Sequence, residues 1–234
     1  MSAVARRPWE LGPTGENQGK IEKPKRGAPP KPPRERILDA ASELFYRHGI
    51  RAVGVDAIAE AADTNKMTLY RHFPSKDELI AECLREHAHE VDSYWDELSS
   101  RYAGDAEGEI KAWLEAVASC VTDVGERGCV MANASVELPE KDHPARAVIE
   151  SFKRGTRERL VTLFRAAGLL EPEGLADEVF LLIEGARINM QSLGSDGPAS
   201  RLVRMIEALI QSHRPQMPAE ATAATSESPT REQR

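Results

Sequence analysis

Residues 57–73 read AIAEAADTNKMTLYRHF, and this stretch decides the fold. Ala59 is followed four residues later by Asp63, and the branched apolar Leu69 comes six residues after that. Two short helices that cross at a steep angle need this order, with a small residue at the crossing, a turn residue that tolerates left-handed backbone, and an apolar anchor. Asn65 can cap the second helix through its side-chain oxygen. The stretch therefore predicts a helix-turn-helix.

The second helix of this motif has the composition expected of a recognition helix. Its outward faces carry cationic, hydroxyl and apolar side chains, namely Lys66, Met67, Thr68, Tyr70, Arg71 and His72. Such a helix can enter the major groove of DNA while Thr68 and Tyr70 reach phosphates. Each assignment has an alternative: the stretch could be an ordinary helical hairpin, Tyr70 a half-buried packing residue, and His72 a ring stacked on the next helix.

The flanking sequence is also predicted to be helical, which makes the fold class all-α with about nine helices. The first helix runs from about Arg34 to His48 and ends at Gly49, a residue type that suits a left-handed position. The fourth helix begins at Ser75 with the capping box S-K-D-E and is long. Apolar residues at helical spacing predict five more helices, at about 105–125, 130–138, 143–167, 173–193 and 198–212.

The net charge and the distribution of charge along the chain give different indications about nucleic-acid binding. The 234 residues carry 31 Lys and Arg against 38 Asp and Glu, and the formal charge of −7 disfavours DNA for the molecule as a whole. Residues 1–36, however, hold nine basic and four acidic side chains. We expect residues 1–33 to form a disordered basic arm and residues 215–234 a disordered tail. The arm could contact DNA or serve as a polar linker.

Several classes of protein are disfavoured because their motifs are missing from the sequence. No pattern for catalysis, a cofactor or a metal site is found, which argues against an enzyme. The densest apolar run, residues 179–183, is far shorter than the roughly 20 residues of a membrane span, so we expect a cytoplasmic protein. Cys83, Cys120 and Cys129 are expected to be buried thiols, with a redox pair of Cys120 and Cys129 as the alternative.

Residues 37–79 resemble the DNA-binding domain of the TetR-type transcriptional regulators. The family pattern has a first helix that ends F-x-x-x-G, then I-A-x-x-A, and then T-L-Y-x-H-F-x-S-K-x-x-L, and this sequence matches each of these segments. It departs from the pattern at Asp63 in place of the turn glycine, at Asn65 in place of serine and at Met67 in place of a frequent glycine.

The resemblance assigns roles to individual side chains of the motif. It implies that Tyr70, Lys76 and the Thr68 hydroxyl hold DNA phosphates. The residues that it places nearest the bases or the DNA backbone are Asn65, Lys66, Arg71 and His72. No cofactor and no catalytic residue are implied.

The resemblance also implies a domain organisation and a set of partners. Residues 34–80 would form the DNA-binding domain and residues 81–214 a helical ligand-binding and dimerisation domain. The partners would be a double-stranded DNA operator and a second copy of the chain, paired through the last two helices. On the first of these two, the residues at heptad-like spacing are Leu175, Val179, Leu182, Ala186, Met190 and Leu193. We expect a dimeric repressor that an inducer releases from a palindromic operator; an activator and a helical ligand-binding protein without a DNA function are the alternatives.

A stripe on the fifth helix indicates where a small molecule could bind. Trp113, Val117 and Val121 share one face of that helix. The residues that could face this stripe are Met131, Phe152, Phe180, Arg187 and Asn189. A mostly apolar surface with a few polar anchors suits a small apolar or amphipathic effector. The alternative for each of these residues is plain hydrophobic core.

Overall fold

The computed structural model describes residues 31–122, 128–194 and 196–215, with the backbone alone described at 120–122. Within those ranges the chain is all-helical and has no strand, so the predicted fold class is confirmed. The helices are α1 (Pro33–His48), α2 (Val55–Ala61), α3 (Lys66–His72), α4 (Lys76–Arg101), α5 (Ala106–Thr122), α6 (Val130–Glu137), α7 (Pro144–Ala166), α8 (Pro172–Leu193) and α9 (Leu202–Ser212). The predicted arm and tail lie almost entirely outside the described residues.

One predicted helix start differs from that in the structure, and one predicted helix end lies outside the described residues. The segment 198–212 does not begin as an α-helix, because Pro198–Arg201 forms a 3-10 turn before α9. Pro198 has no amide hydrogen to donate, and a short 3-10 turn is a common way to enter a helix. The fifth helix, predicted to reach about residue 125, is described as far as Thr122, and residues 123–127 lie outside the described part.

The turn between α2 and α3 has the geometry that the sequence predicts. Asp63 has a φ of 48°, in the left-handed region. Its N–H donates to the carbonyl of Glu60 at 3.0 Å, and the N–H of Thr64 donates to the carbonyl of Ala59 at 2.9 Å. This pair of hydrogen bonds is a Schellman motif, which satisfies the last carbonyls of α2. The turn therefore uses an aspartate where a left-handed position favours glycine.

Replacing Asp63 by glycine is expected to raise the free energy of unfolding by about 1 kcal/mol, because glycine adopts left-handed backbone without the strain of a β-carbon. The ion pair of Asp63 with Arg36, 3.3 Å long, is lost in this variant, but an exposed pair of this kind contributes little. Chemical denaturation of the two proteins measures the difference. Asp63→Ala is the matched control, since it removes the same carboxylate and keeps a β-carbon. Equal stability of the glycine and alanine variants would contradict the strain argument.

Short side-chain caps fix where α3 and α4 begin. The Asn65 side chain accepts from the N–H of Thr68 at 2.9 Å, and the Ser75 hydroxyl accepts from the N–H of Glu78 at 3.0 Å. With seven residues, α3 is too short to be stable alone, and the fully buried Leu69 attaches it to α1 and α2. The orientation of α3 thus depends on its packing as well as its cap.

The buried side chains form two hydrophobic clusters, and the division between the clusters does not coincide with the predicted domain boundary. The first unites α1, α2, α3 and the first turns of α4 with residues from α6 and from the start of α7: Met131, Ala134, Leu138, Ala145 and Ile149. The second joins the end of α4 to α5, the rest of α7, α8 and α9. The core around the helix-turn-helix therefore extends well beyond residue 80, where the sequence placed the domain boundary.

The predicted dimerisation stripe of α8 is largely an intramolecular one. Leu175, Val179, Ala186 and Met190 are buried in the second cluster, against other helices of the same chain. Of the other two predicted residues, Leu182 is partly buried and Leu193 is exposed. Outside the predicted stripe, α8 also exposes the apolar Leu181 and Ile188. This corrects the expectation for the four buried residues, which pack within the chain. No described helix meets the length and hydropathy needed to cross a bilayer.

Candidate DNA-binding surface

The helix α3 presents one face to the core and the opposite face to solvent. Leu69 is 0% exposed and marks the inner face. At 100° per residue, Met67 and Arg71 lie on the far side of the helix from Leu69, one turn apart. Met67 is 81% exposed, and Arg71 is exposed as well. Tyr70, 41% exposed, flanks this outer face.

Two of the predicted DNA-contacting residues already make contacts within the chain. The Asn65 oxygen is occupied by the Thr68 amide, so the Asn65 side-chain NH₂ is the group left to donate. The Lys66 ammonium lies 3.2 Å from the carboxylate of Asp56. Because both partners of that pair are exposed, the contact is weak and a phosphate can replace it. Thr68 is partly buried beneath the cap.

Lys76 is placed differently from the other candidates. Its ammonium donates to the carbonyl of Ile50 at 2.6 Å and lies 5.8 Å from the ring centroid of Phe45. Burial lowers the pKa of Lys76, and the nearby carboxylates of Asp77 and Glu137 act in the opposite direction. The side chain therefore holds the loop between α1 and α2 to the start of α4, and it does not lie on the outer face of α3.

His72 packs against the protein more than it faces solvent. The residue is partly buried, and its Nε2 atom is enclosed with no hydrogen-bond partner among the described residues. Of the two roles considered for His72, packing against the neighbouring helices is the one that this placement favours. Arg71, Met67, Tyr70 and Lys66 are thus the side chains that α3 extends outward.

Acidic residues surround α3 and limit its local positive charge. Asp56, Glu60 and Asp63 are all exposed on α2 and the turn. Asp56 pairs with Lys66, and Asp63 pairs with Arg36 of α1 at 3.3 Å. The surface has only a few unneutralised cations, so its attraction for phosphates depends on individual side chains.

A loop of the helix-turn-helix unit is bonded directly to α6. The Arg51 side chain donates from Nε to the backbone carbonyl of Glu137 at 2.8 Å and from its guanidinium to Glu140 at 3.3 Å. The backbone N–H of Arg51 also donates to the Glu137 carboxylate at 3.2 Å. A second link joins α7 to α4, since Nε2 of His143 lies 3.5 Å from the carboxylate of Asp77. Sequence analysis did not identify Arg51, because no local pattern marks a contact between residues so far apart.

Three of the predicted effector-binding residues are core residues. Trp113 is 4% exposed, with its ring centroid 6.3 Å from that of Trp95 and 6.1 Å from that of Phe164. Val117 is buried in the same cluster. Met131 is fully buried in the other cluster, so it does not face the α5 stripe. The structure therefore does not bring Trp113, Val117 and Met131 together, and the side chain of Val121 lies outside the described ones.

Three of the remaining candidates, Phe152, Phe180 and Arg187, belong to a mixed aromatic and charged cluster between α4, α7 and α8. His87 of α4 lies 6.1 Å from the ring of Phe152, and the ammonium of Lys153 lies 5.7 Å from the ring of Phe180. Glu184 accepts from Lys153 and lies 3.5 Å from Arg187. The side chain of Asn189 instead donates to the carbonyl of Gly185 in its own helix at 2.9 Å.

Burial and charge determine the protonation of this cluster. Burial lowers the pKa of His87 to about 4, and the positive charge of Arg187 acts in the same direction. His87 is therefore neutral near pH 7 and can donate or accept a hydrogen bond. Sequence analysis missed His87, Lys153 and Glu184 as members of the cluster, because their contacts depend on how three helices pack.

Two further kinds of site were considered among the described residues, a metal site and a reactive cysteine. Among them, no group of three or more His, Cys, Asp or Glu side chains is arranged to hold a metal ion. Cys83 is buried, and its burial raises the pKa of the thiol to about 12, which keeps it protonated and unreactive. Cys129 is partly buried, while the side chain of Cys120 lies outside the described ones.

A helix-turn-helix with an exposed recognition helix, joined to a helical domain, defines a DNA-binding regulator. A family model described as "Bacterial regulatory proteins, tetR family" matches residues 37–83. The HTH-type transcriptional regulator YjdC of Escherichia coli (strain K12) is 23% identical over 178 residues, which are 76% of this chain and 93% of that protein. The HTH-type transcriptional repressor ComR of the same organism is 26% identical over 183 residues, 71% of this chain and 83% of that protein.

Similarity in structure extends over most of the chain. The crystal structure of a TetR-family transcriptional regulator from Streptomyces coelicolor superposes with a TM-score of 0.71 at 24% identity, covering 77% of this chain and 95% of that one. Residues 37–83 thus match the DNA-binding domain of the TetR family, and the chain as a whole has the fold of TetR-family regulators. The proteins that it matches are regulators and not enzymes, in agreement with the expectation from its sequence.

Proposed function

We propose that the protein is a dimeric, cytoplasmic repressor that binds a partly palindromic double-stranded DNA operator and that a small apolar or amphipathic effector releases. The observation that carries the DNA-binding part is the outer face of α3, where Met67 and Arg71 extend opposite the buried Leu69. A repressor is favoured over an activator because ComR, which aligns over most of its own length, is named a repressor.

Dimerisation through α8 and α9 is supported by apolar side chains that the single chain leaves uncovered. On α8, Leu181 is 70% exposed and Ile188 50% exposed, with the exposed Gly185 between them. These three residues follow at spacings of four and three, and so they line one face. On the neighbouring α9, Met205 is also exposed. A second copy, related by a two-fold axis, would cover this face and place two recognition helices for two half-sites.

The cluster between α4, α7 and α8 is the effector site that we propose. Phe152 and Phe180 offer aromatic surface, while Arg187 and Glu184 offer charged anchors, a combination that suits an amphipathic molecule. The cluster borders α4, and the core of the helix-turn-helix continues into α6 and α7. A ligand that shifts these helices would move the two recognition helices relative to each other. Binding of effector and binding of operator would then be negatively coupled.

The decisive experiment measures binding of the full-length protein to duplex DNA from upstream of its own gene. We expect Arg71→Ala to weaken this binding by about 5- to 150-fold, because an exposed arginine on this face can make a bidentate contact with guanine. Lys111→Ala is the matched control, since it removes an exposed cation from α5, away from α3. Equal losses for the two variants would mean that α3 is not the recognition helix.

Regulatory direction requires a measurement in cells. Deletion of the gene is expected to raise transcription from each promoter that the protein binds, and lower transcription after deletion would instead identify an activator.

A further inference from the structure

The high solvent exposure of Met67 is not explained by any role in the hydrophobic core. At 81% exposure it is the most exposed of the large hydrophobic side chains in the described part of the chain. It lies on the side of α3 opposite Leu69, so it contributes nothing to the core. Single exposed apolar side chains are normal on protein surfaces, but this one lies on the face of α3 that we propose to meet DNA. Its neighbours on that face are polar or charged, so Met67 is the side chain through which this surface can make an apolar contact.

The side chains beside Met67 are partly committed to other contacts. The oxygen of Asn65 is held by the Thr68 amide, and Lys66 is drawn towards Asp56 at 3.2 Å. Among the described residues Met67 has no such partner, and its side chain extends into solvent. A helix that docks this face into the major groove would therefore bring the Met67 thioether against the base edges first.

The chemistry of the major groove limits what an apolar side chain can recognise there. Of the four bases, thymine alone presents an apolar group in that groove, the C5-methyl, while the other base edges present hydrogen-bond donors and acceptors. An unbranched and polarisable methionine side chain adapts readily to a methyl group. Contact with a thymine methyl removes apolar surface of both groups from water.

The geometry points to Met67 as a specificity-determining residue that reads one thymine in each half-site through its C5-methyl group. This inference rests on the proposed DNA-binding role of α3 and adds the base that this position selects. It assigns to Met67 a part of the readout that its polar neighbours cannot supply, since their amide and ammonium groups recognise hydrogen-bonding groups and not a methyl group. Arg71, one turn away, would read a neighbouring position by hydrogen bonds.

The test replaces single thymines by deoxyuridine, which lacks only the methyl group. Full-length protein first selects its preferred duplex from a randomised library, and the dissociation constant is then measured with each thymine of that duplex replaced in turn. For the wild type we expect one thymine per half-site at which the replacement weakens binding about fourfold, the value that one buried methyl group contributes. In Met67→Ala the same replacement should change binding by less than about 1.5-fold, while Met67→Leu should retain most of the wild-type effect.

Matched variants separate this contact from general effects. Val136→Ala truncates another highly exposed apolar residue, 78% exposed on α6, and should give the wild-type deoxyuridine profile. Thermal unfolding should be unchanged in both alanine variants, because neither residue is buried. Identical profiles for wild type and Met67→Ala would overturn the inference even if both proteins bind DNA. Failure of the wild type to select any duplex would instead overturn the proposed function.

Discussion

Leu181→Glu is expected to separate the proposed dimer into monomers and to weaken operator binding by about a hundredfold or more. Leu181 is the most exposed apolar side chain of the α8 stripe, and Gly185 and Ile188 follow it on the same face. In a two-fold interface every substitution appears twice, so this variant would bury two carboxylates without partners. Separation of the copies would also separate the two recognition helices, and each half-site would then be bound alone.

Sedimentation velocity of the full-length protein measures the change in mass, and titration of duplex DNA measures the loss in affinity. Val136→Glu is the control, since it places the same charge on an exposed apolar residue of α6, outside the stripe. We expect that variant to remain dimeric. If Leu181→Glu sedimented as the wild type does, the dimer would have to use another surface.

Trp113→Ala is expected to lower the free energy of unfolding by about 3–5 kcal/mol, the usual loss when a buried aromatic residue is truncated. The Trp113 ring is almost completely buried; it stacks on the ring of Trp95 and meets the ring of Phe164 edge-on. Its removal leaves a cavity next to Phe164, which is itself fully buried. A protein weakened to this extent loses much of the stability of a typical domain.

Chemical denaturation tests this expectation, and it also separates the core from the effector site. Trp113→Phe keeps an aromatic ring in place and should lose clearly less stability than the alanine variant. Phe180→Ala truncates a partly buried residue of the proposed effector site and should likewise be the milder change. Near wild-type stability of Trp113→Ala would show that the ring lines an open space and does not fill the core.

The helix-turn-helix could be predicted closely because its signals are local. Asn65 and Ser75 cap the helices that follow them, and each needs only the amide three residues ahead. Asp63 adopts the left-handed conformation because the two hydrogen bonds of the Schellman motif require that conformation at this position. Spacing along the chain therefore carried enough information to place α1 to α4 and the buried Leu69.

The helices after α4 could be predicted less well, because their features depend on tertiary packing. An apolar stripe such as that of Trp113 and Val117 has the same spacing whether it faces a ligand or other helices. On α8, Val179 and Leu181 are both apolar, and only the packed structure shows which is inside. Lys76 presented a similar problem, since its distance from the Ile50 carbonyl is set by the fold of a loop 26 residues away.

The first hydrophobic cluster has a consequence for the construction of chimeric regulators. Exchange of the helix-turn-helix at a point in the long helix α4 would require that this part of the chain has a hydrophobic core of its own. Here Met131 and Ala134 of α6 and Ile149 of α7 fill the same core as Ile58 and Leu69. A fragment that ends after α4 would expose the apolar surface that α6 and α7 cover here. In a chimera, the α6 of the other protein would have to fit that surface. The transferable module is therefore discontinuous: it comprises the helix-turn-helix together with α6 and the first turns of α7.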